Sequence, residues 1–289
     1  MDTDSFEQRL RDHHDVLSAS DRKLAEVLIA NAKSLSAFSA AEMAQEAGVS
    51  KATAARFFRR LGYADFAAFR RQMRDRLSSS SPLQQMKTTA HRAGSKESPV
   101  AALARHLQQD QVRLALLAES LTPQTLQAAL SLLQKASRVA VVGFRNSHVY
   151  ALYAQLLLSQ VRPGVTLLPD AAGRDADMLA DIGKGDVLLV VDFRRRMRRL
   201  STLVQACAKA GARVVLVTDS PVSTLAAQAD AVLLCPATDS QVFDSYVGAT
   251  SLVNFLATQL AQHGGRTTRA RLARIEQAHA LLSDLEPIH

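Results

Sequence analysis

An all-α helical domain followed by an α/β domain, its five-stranded parallel sheet covered on both faces in a flavodoxin-like three-layer arrangement, is the fold this 289-residue sequence predicts. Three observations carry that expectation. Apolar residues recur at helical spacing up to about residue 77, with no strand-like run among them. The stretch 78–99, "SSSSPLQQMKTTAHRAGSKESP", is polar, proline-bearing and short of apolar anchors, which reads as a linker. Beyond it, five short aliphatic runs are separated mostly by helical segments. The expected organisation is therefore a helical domain over 1–77, a linker over 78–99 and a sheet domain over 100–289.

The helical periodicity of the first part runs through "RKLAEVLIANA", "AAEMAQEAG", "KATAARFFRRLG" and "DFAAFRRQMRDRL". Within it, a helix over 39–47 buries Met43, Ala44 and Ala47. Gly48 then permits a left-handed turn, Val49 points inward, and Ser50 caps the next helix through its hydroxyl. In that second helix Ala54, Phe57, Phe58 and Leu61 fall at i, i+3, i+4 and i+7. This is the pattern of a helix-turn-helix. Ser50, Lys51, Thr53, Arg56, Arg59 and Arg60 remain for other faces, where Arg can read guanine and Ser or Thr can reach bases or phosphates in a major groove. A solvated basic face is the alternative. Residues 50–76, which include Arg71, hold eight Lys or Arg against two Asp, a local excess of six that attracts phosphate and favours double-stranded DNA as the partner.

In the second part a helical stretch from about 99 to 135 precedes the runs "SRVAVVG", "GVTLLPD", "DVLLVVD", "ARVVLVTD" and "DAVLLCP". In such a sheet a ligand crevice is expected at the carboxyl ends of the strands. The first strand ends in "VVGFRNSH", so Gly143 opens a turn and Ser147 falls at a helix start, where free amides favour an anion; a plain strand-to-helix turn explains the same residues. The third strand ends in "VVDFRRRMRRL", with five arginines in six positions. They can bind carboxylate or phosphate by paired hydrogen bonds, with Asp192 orienting a guanidinium or contacting a donor of the ligand, or they are a charged helix start or a subunit contact. Arginines at a helix N-terminus oppose its dipole, which favours a functional use.

Composition narrows the classes. The chain is 47 % apolar with a formal net charge of +8, values that fit a globular protein with an anionic partner. Its two cysteines, Cys207 and Cys235, lie in apolar or helical runs, so free buried thiols and a reducing cytoplasm are expected. "MDTDSFEQRLRD" has no apolar signal region, and no run approaches the roughly 20 apolar residues of a membrane span, so no membrane partner is expected. The histidines, including His13 and His14, lack metal-ligand spacing, and neither metal nor cofactor is expected.

The stretch "FSAAEMAQEAGVSKATAARFFRRLGYADFAAFRRQMR" resembles the amino-terminal helix-turn-helix of the RpiR family of bacterial transcriptional regulators, and the second half is similar to the sugar isomerase (SIS) domain with which that family pairs it. The resemblance implies a DNA-binding regulator whose SIS-like domain dimerises or tetramerises and senses a small anionic effector, a sugar phosphate or an organic acid. It also exposes two departures. The family's first loop is commonly Gly-x-Gly-x-Ser, and here Arg145 replaces the second glycine. The loop after the third strand is usually Ser-x-Ser-Gly-x-Thr, and here Asp192 and Arg194 replace the serines, Arg195 the glycine and Met197 the threonine. Arg145, Ser147, Asp192, Arg194 and Arg195 are therefore the expected effector contacts. Ser220, in "LVTDSPVSTLAAQAD", either caps or contacts the ligand, and Ser245 aligns with a serine near the family's pocket, on a helix that can equally form a dimer interface.

The other reading the resemblance implies is a catalytic SIS protein, phosphosugar isomerase-like, with an accessory nucleic-acid-binding head. Isomerisation needs a positioned base. His148 and Asp192 are the nearby candidates, and no catalytic residue is assigned.

Overall fold

The computed structural model describes residues 17–30, 39–70, 97–194, 196–220, 225–237 and 242–284, with positions 6, 9, 10, 13, 72, 82, 83, 85 and 86. Its contacts divide the chain into two compact units, Met1–Ser95 with Ser240–Val242, and Lys96–Asp239 with Phe243–His289. Most of the stretch read as a linker, 78–81 and 87–96 among it, lies outside the described residues.

Among the described residues of the first unit, all regular structure is helical. Helix α1, Ala19–Ala30, begins where Ser18 and Asp21 bond reciprocally: the Asp21 amide donates to Ser18 Oγ at 3.2 Å, and the Ser18 amide donates to Asp21 Oδ2 at 2.9 Å. Helix α2, Ala40–Glu46, repeats the device with Ser39 and Glu42. The Ser39 backbone amide, and then its hydroxyl, hold the Glu42 carboxyl below its ordinary value. Helix α3, Lys51–Arg60, packs Ala54, Phe57 and Phe58 inward, and Leu61 completes that stripe. A further turn of helix over 66–70 is capped by Asp65, whose Oδ1 accepts from the Ala68 amide at 2.7 Å. The core is aromatic, with Phe69 4.8 Å from Phe6 and 5.2 Å from Phe58 between ring centroids.

The second unit opens with helices α4, Pro99–Ser120, and α5, Pro123–Lys135, each with proline in its first turn and a hydroxyl cap, Ser98 and Thr122. The single stretch read from sequence is thus two helices, broken where Leu121 and Thr122 turn extended. Strand β1 is Val139–Gly143, followed by helix α6, Asn146–Val161, strand β2, Val165–Leu168, and short helix α7, Asp175–Ala180. Strand β3, Val187–Asp192, helix α8, Arg198–Lys209, strands β4, Arg213–Thr218, and β5, Ala231–Leu234, and helices α9, Val247–His263, and α10, Gly265–Leu282, complete it. Between β4 and β5 the described residues hold only a 3₁₀ turn, Ala226–Gln228; residues 221–224 lie outside them.

All five strands are parallel, in the order β2-β1-β3-β4-β5. Strand side chains alternate between faces, so Val139, Val141, Leu189, Val191, Val215 and Val217 join α5, α6 and α9 in one core, while Ala140, Val142, Leu188, Val190, Val214 and Leu216 meet α8 in another. Both faces are therefore covered, which is why the strands read as unbroken aliphatic runs. Cys207 and Cys235 are buried free thiols; burial pushes Cys207 up to about 11, and burial with the nearby Asp219 charge pushes Cys235 up to about 12.

Candidate functional site

Two places carry chemistry. In the first unit, Gly48 takes φ +64° between α2 and α3, and the Val49 amide donates back to the Ala44 carbonyl at 2.8 Å, so the two helices meet at a tight turn. Ser50 Oγ then accepts from the Thr53 amide at 3.1 Å and lies 2.9 Å from Thr53 Oγ1. Lys51, Arg56 and Arg59 are exposed on α3, and Arg56 Nη2 reaches Thr53 Oγ1 at 3.4 Å. Ala52 and Ala55, also exposed, sit among them. These small side chains let the helix backbone approach another surface closely, a signal the spacing of the core residues already contained. A groove of about 490 Å³ borders this face between Lys51, Ala55, Phe58, Arg59 and Phe66.

Arg60 differs from the expectation. Its guanidinium is bound by Asp21, a carboxylate with 4 % side-chain exposure, and ties α3 to α1 rather than standing free beside Arg56. At the other end of α3, Arg9 Nη1 donates to the Leu61 carbonyl at 2.7 Å and its guanidinium carbon stands 4.8 Å from the Tyr63 ring centroid, fixing the turn that Gly62 makes at φ +78°. Arg71 lies outside the described residues.

The second place is the carboxyl end of β1 and β3, where the strand order reverses and doubly wound sheets form their crevice. A Cβ on Gly143 would stand 2.6 Å from the Ser147 carbonyl oxygen and 2.9 Å from Ala151 Cβ, so glycine is what lets α6 pack against β1. Arg145 follows at φ 56°, ψ −129°, a backbone geometry glycine adopts freely and other residues only under strain, and its side chain is exposed. The glycine conformation of this turn is kept although the glycine is gone. Ser147 is buried, and its Oγ accepts from the Phe193 amide at 3.2 Å, joining the β1 loop to the β3 loop. His148 Nδ1 lies 3.2 Å from the Gly143 carbonyl at the end of β1.

The arginine loop is not a bank of free cations. Arg194 Nε donates to Asp244 Oδ2 at 3.1 Å and its Nη2 lies 2.6 Å from Oδ1, a two-pronged pair with both side chains largely buried. Arg196 donates to Asp192 Oδ2 at 2.8 Å, to Thr218 Oγ1 at 3.2 Å and to Asp219. Burial opposes its charge, but Asp219 and then Asp192 outweigh it and raise its pKa above the ordinary value. Arg199 is bound by Asp175. Asp192 and Arg194, expected as ligand contacts, are paired within the protein, Asp192 with Arg196 of the same loop and Arg194 with Asp244 of the segment before α9. Arg195 lies outside the described residues.

Ser245 is committed as well, its Oγ donating to Asp110 Oδ1 on α4 at 2.6 Å. Ser220 lies beside the crevice, its amide 3.3 Å from Thr218 Oγ1. Sequence reasoning did not single out the pairing of Arg196 with Asp219 or of Arg194 with Asp244, and it missed an aromatic cluster: Tyr246 stacks on Tyr150 at 4.8 Å and meets Phe193 edge-on at 5.2 Å. Burial, reinforced by the Asp244 charge, pushes the Tyr246 phenol up. Among the described residues no group of three or more His, Cys, Asp or Glu side chains could hold a metal ion, and no helix is long and apolar enough to cross a membrane.

A helix-turn-helix unit followed by a doubly wound unit with a crevice at its strand-order reversal defines a two-part protein, one part shaped for a polyanion and the other for a small ligand. Comparison with known proteins makes this specific. Residues 5–80 match the helix-turn-helix domain of the rpiR family and residues 132–259 match the SIS domain; the chain belongs to the RpiR family. The bifunctional protein glk of Burkholderia thailandensis is 26 % identical over 220 residues, covering 74 % of this chain and 32 % of that protein, so the chain spans about a third of its length. The HTH-type transcriptional regulator HexR of Pseudomonas aeruginosa is 25 % identical over 278 residues, 94 % of each chain. The Vibrio vulnificus NanR protein, solved with ManNAc-6P, shares the fold at a TM-score of 0.56 and 19 % identity over 95 % of this chain and 97 % of its own.

Proposed function

We propose that this chain is a bacterial, cytoplasmic transcriptional regulator that binds double-stranded operator DNA through α3 and responds to a small anionic metabolite in the strand-end crevice. The observation that carries it is the capped helix α3, whose exposed side presents Lys51, Arg56 and Arg59 around the small residues Ala52 and Ala55. Ser50, Lys51, Thr53, Arg56 and Arg59 are the proposed DNA contacts, with Arg71 on phosphate. The relation to HexR over 94 % of both chains supports the same reading. Domain limits of 1–77 and 100–289, with 78–99 between them, complete the organisation.

For the effector, the proposed contacts are Arg145, Ser147 and Ser220, with Arg195 from the third-strand loop. A sugar phosphate is the leading class, because NanR was solved with ManNAc-6P. Catalysis is not part of the proposal: Asp192 is paired with Arg196, and no catalytic role is assigned to His148, whose Nδ1 lies 3.2 Å from the Gly143 carbonyl. Self-association, as a dimer or tetramer, is proposed through the sheet unit, where Val149, Leu152 and Leu156 recur on the outer face of α6 and Phe255 is exposed on α9.

The test is capture of fragmented genomic DNA by the purified full chain, followed by anisotropy titrations on the enriched site with and without ManNAc-6P. Sequence-selective retention that weakens steeply with salt is expected. Retention of every fragment alike, with turnover of sugar phosphates, would replace this reading with the enzymatic one.

A further inference from the structure

Three consecutive residues just before α9 touch three separate parts of the second unit. Asp244 holds the Arg194 guanidinium of the third-strand loop, through contacts of 3.1 and 2.6 Å. Ser245 donates to Asp110 of α4 at 2.6 Å. Tyr246 stacks on Tyr150 of α6 and meets Phe193 at the exit of β3. One short segment therefore links the crevice loops to α4, the first helix after the stretch that leads from the DNA-binding unit.

Helix α4 is built to respond at that contact. Its carboxyl end is anchored, with Leu117 in the core and Ser120 Oγ donating to the Leu234 carbonyl at 2.8 Å. Ahead of Asp110 the helix exposes Val100, Leu103 and Leu107, which contribute little to holding it on the sheet unit. Asp110 stands between these halves. It accepts from Ser245 and from Arg113 Nη1 at 2.7 Å, and His106 Nε2 lies 3.4 Å away; Arg113 and His106 belong to α4 itself, so the bond from Ser245 is the one that ties this carboxylate to the segment before α9.

We infer that Arg194, Asp244, Ser245 and Asp110 form the route by which the state of the crevice loop is reported to α4. The inference rests on the regulator reading and names how its ligand site would be heard outside the sheet unit. A ligand that draws the third-strand loop toward itself pulls Arg194 from Asp244; the segment 244–246 then shifts, and Ser245 leaves Asp110. Each link is a discrete bond, made or broken, and so gives the two arrangements that coupling requires. Ser245 and Asp110 are positioning residues in this scheme and touch no ligand.

The test is hydrogen exchange of the full chain without any ligand, because substitution of Arg194 itself perturbs the crevice loop. Arg194→Gln should speed exchange of the α4 amides over 104–113 about tenfold, the factor carried by a hydrogen bond to a charged group. Ser245→Ala should produce the same acceleration alone, and adding Arg194→Gln to it should change α4 exchange by less than about twofold. Arg194→Lys, which keeps the charge but loses the fork, gives an intermediate effect, and unchanged protection of β3 and β4 amides verifies that each variant is folded. Parent-like α4 exchange in Arg194→Gln, or independent and multiplying effects of the two substitutions, overturns the route. DNA retention of the same samples separates the two ideas: coupling without DNA binding overturns the regulator reading and keeps the route, whereas DNA binding without coupling overturns the route alone.

Discussion

Helix α3 and the loop after β3 are similarly rich in arginine, yet they are physically opposite. On α3 the cations at 51, 56 and 59 are exposed, and Lys51 and Arg59 have no ion-pair partner among the described residues. After β3, Arg194, Arg196 and Arg199 are bound by Asp244, Asp219 and Asp175, each from another part of the chain, and Arg196 also by the neighbouring Asp192. Local charge density is the same kind of signal in both. What separates them is whether the fold delivers carboxylates to the cations. An exposed cation keeps its attraction for an outside anion, whereas a paired one must first be released from its partner.

The strongest way to break this comparison is to remove Arg196. Asp192 and Asp219 have side-chain exposures of 4 % and 6 %, so Arg196→Ala would leave two buried carboxylates facing one another. A loss of about 3 to 5 kcal/mol in unfolding free energy is expected, the range for breaking one side of a buried pair. Arg59→Ala on α3, which abandons no buried partner, should change stability by less than about 0.5 kcal/mol. Urea unfolding of both variants beside the parent measures the contrast, and equal losses would mean that the two arginine groups do not differ as described.

The same pair of regions shows where sequence reasoning reaches. Met43, Gly48, Ser50, Ala54, Phe57 and Phe58 could be placed from sequence because their roles depend on residues within a turn or two: a cap three positions away, a left-handed glycine, an apolar stripe at helical period. The five strands were legible because two covered faces demand unbroken aliphatic runs. The fate of the charged residues was not. Ser245 meets Asp110 across 135 positions, Arg194 meets Asp244 across 50 and Arg60 meets Asp21 across 39, and no local pattern encodes such neighbours. Candidate site residues were therefore found by type and neighbourhood, while their availability was decided by tertiary structure.

A second measurement sharpens the contrast on the DNA side. Arg56→Ala should weaken binding to the selected site by about 1 to 3 kcal/mol if Arg56 reads a base, and leave non-selective binding nearly intact. Arg194→Ala removes no proposed DNA contact and should leave the discrimination between the selected site and other DNA unchanged, since its guanidinium is directed to Asp244. Anisotropy titrations at fixed salt decide between these outcomes; equal losses in the two variants would argue against α3 as the reading element.

Acid tests the paired carboxylates of the sheet unit directly. Hydrogen bonds from Arg174, then backbone amides including that of Ala172, hold the Asp170 carboxyl down to about 2 against mild desolvation, and Asp186 and Asp110 are also lowered because arginine and hydroxyl or amide donors outweigh their burial. A carboxyl whose folded value is depressed contributes stability above its unfolded value, near 3.8, and loses it as pH falls through the folded value. Thermal unfolding of the sheet unit should thus fall between about pH 4 and pH 2, and Asp170→Asn should flatten that slope. A slope identical to the parent's would show that the Asp170–Arg174 pair has no part in acid stability.

The smallest expected effect has the opposite sign. Arg145 keeps φ 56° and ψ −129° in an exposed turn, and a non-glycine residue in such a region carries strain of about 1 to 3 kcal/mol. Arg145→Gly removes that strain but adds about 0.5 to 1 kcal/mol of unfolded-chain entropy, so a net stabilisation of roughly 1 kcal/mol is expected. Arg145→Ala keeps the strain and should leave stability close to the parent's. If Arg145 holds the effector, both variants should lose affinity for ManNAc-6P by isothermal calorimetry, the glycine variant while becoming more stable. This pairing distinguishes a strained residue retained for binding from one that merely occupies a turn: a glycine variant that gains stability and binds the probe as the parent does would remove Arg145 from the ligand site and leave its strained geometry without a functional reason.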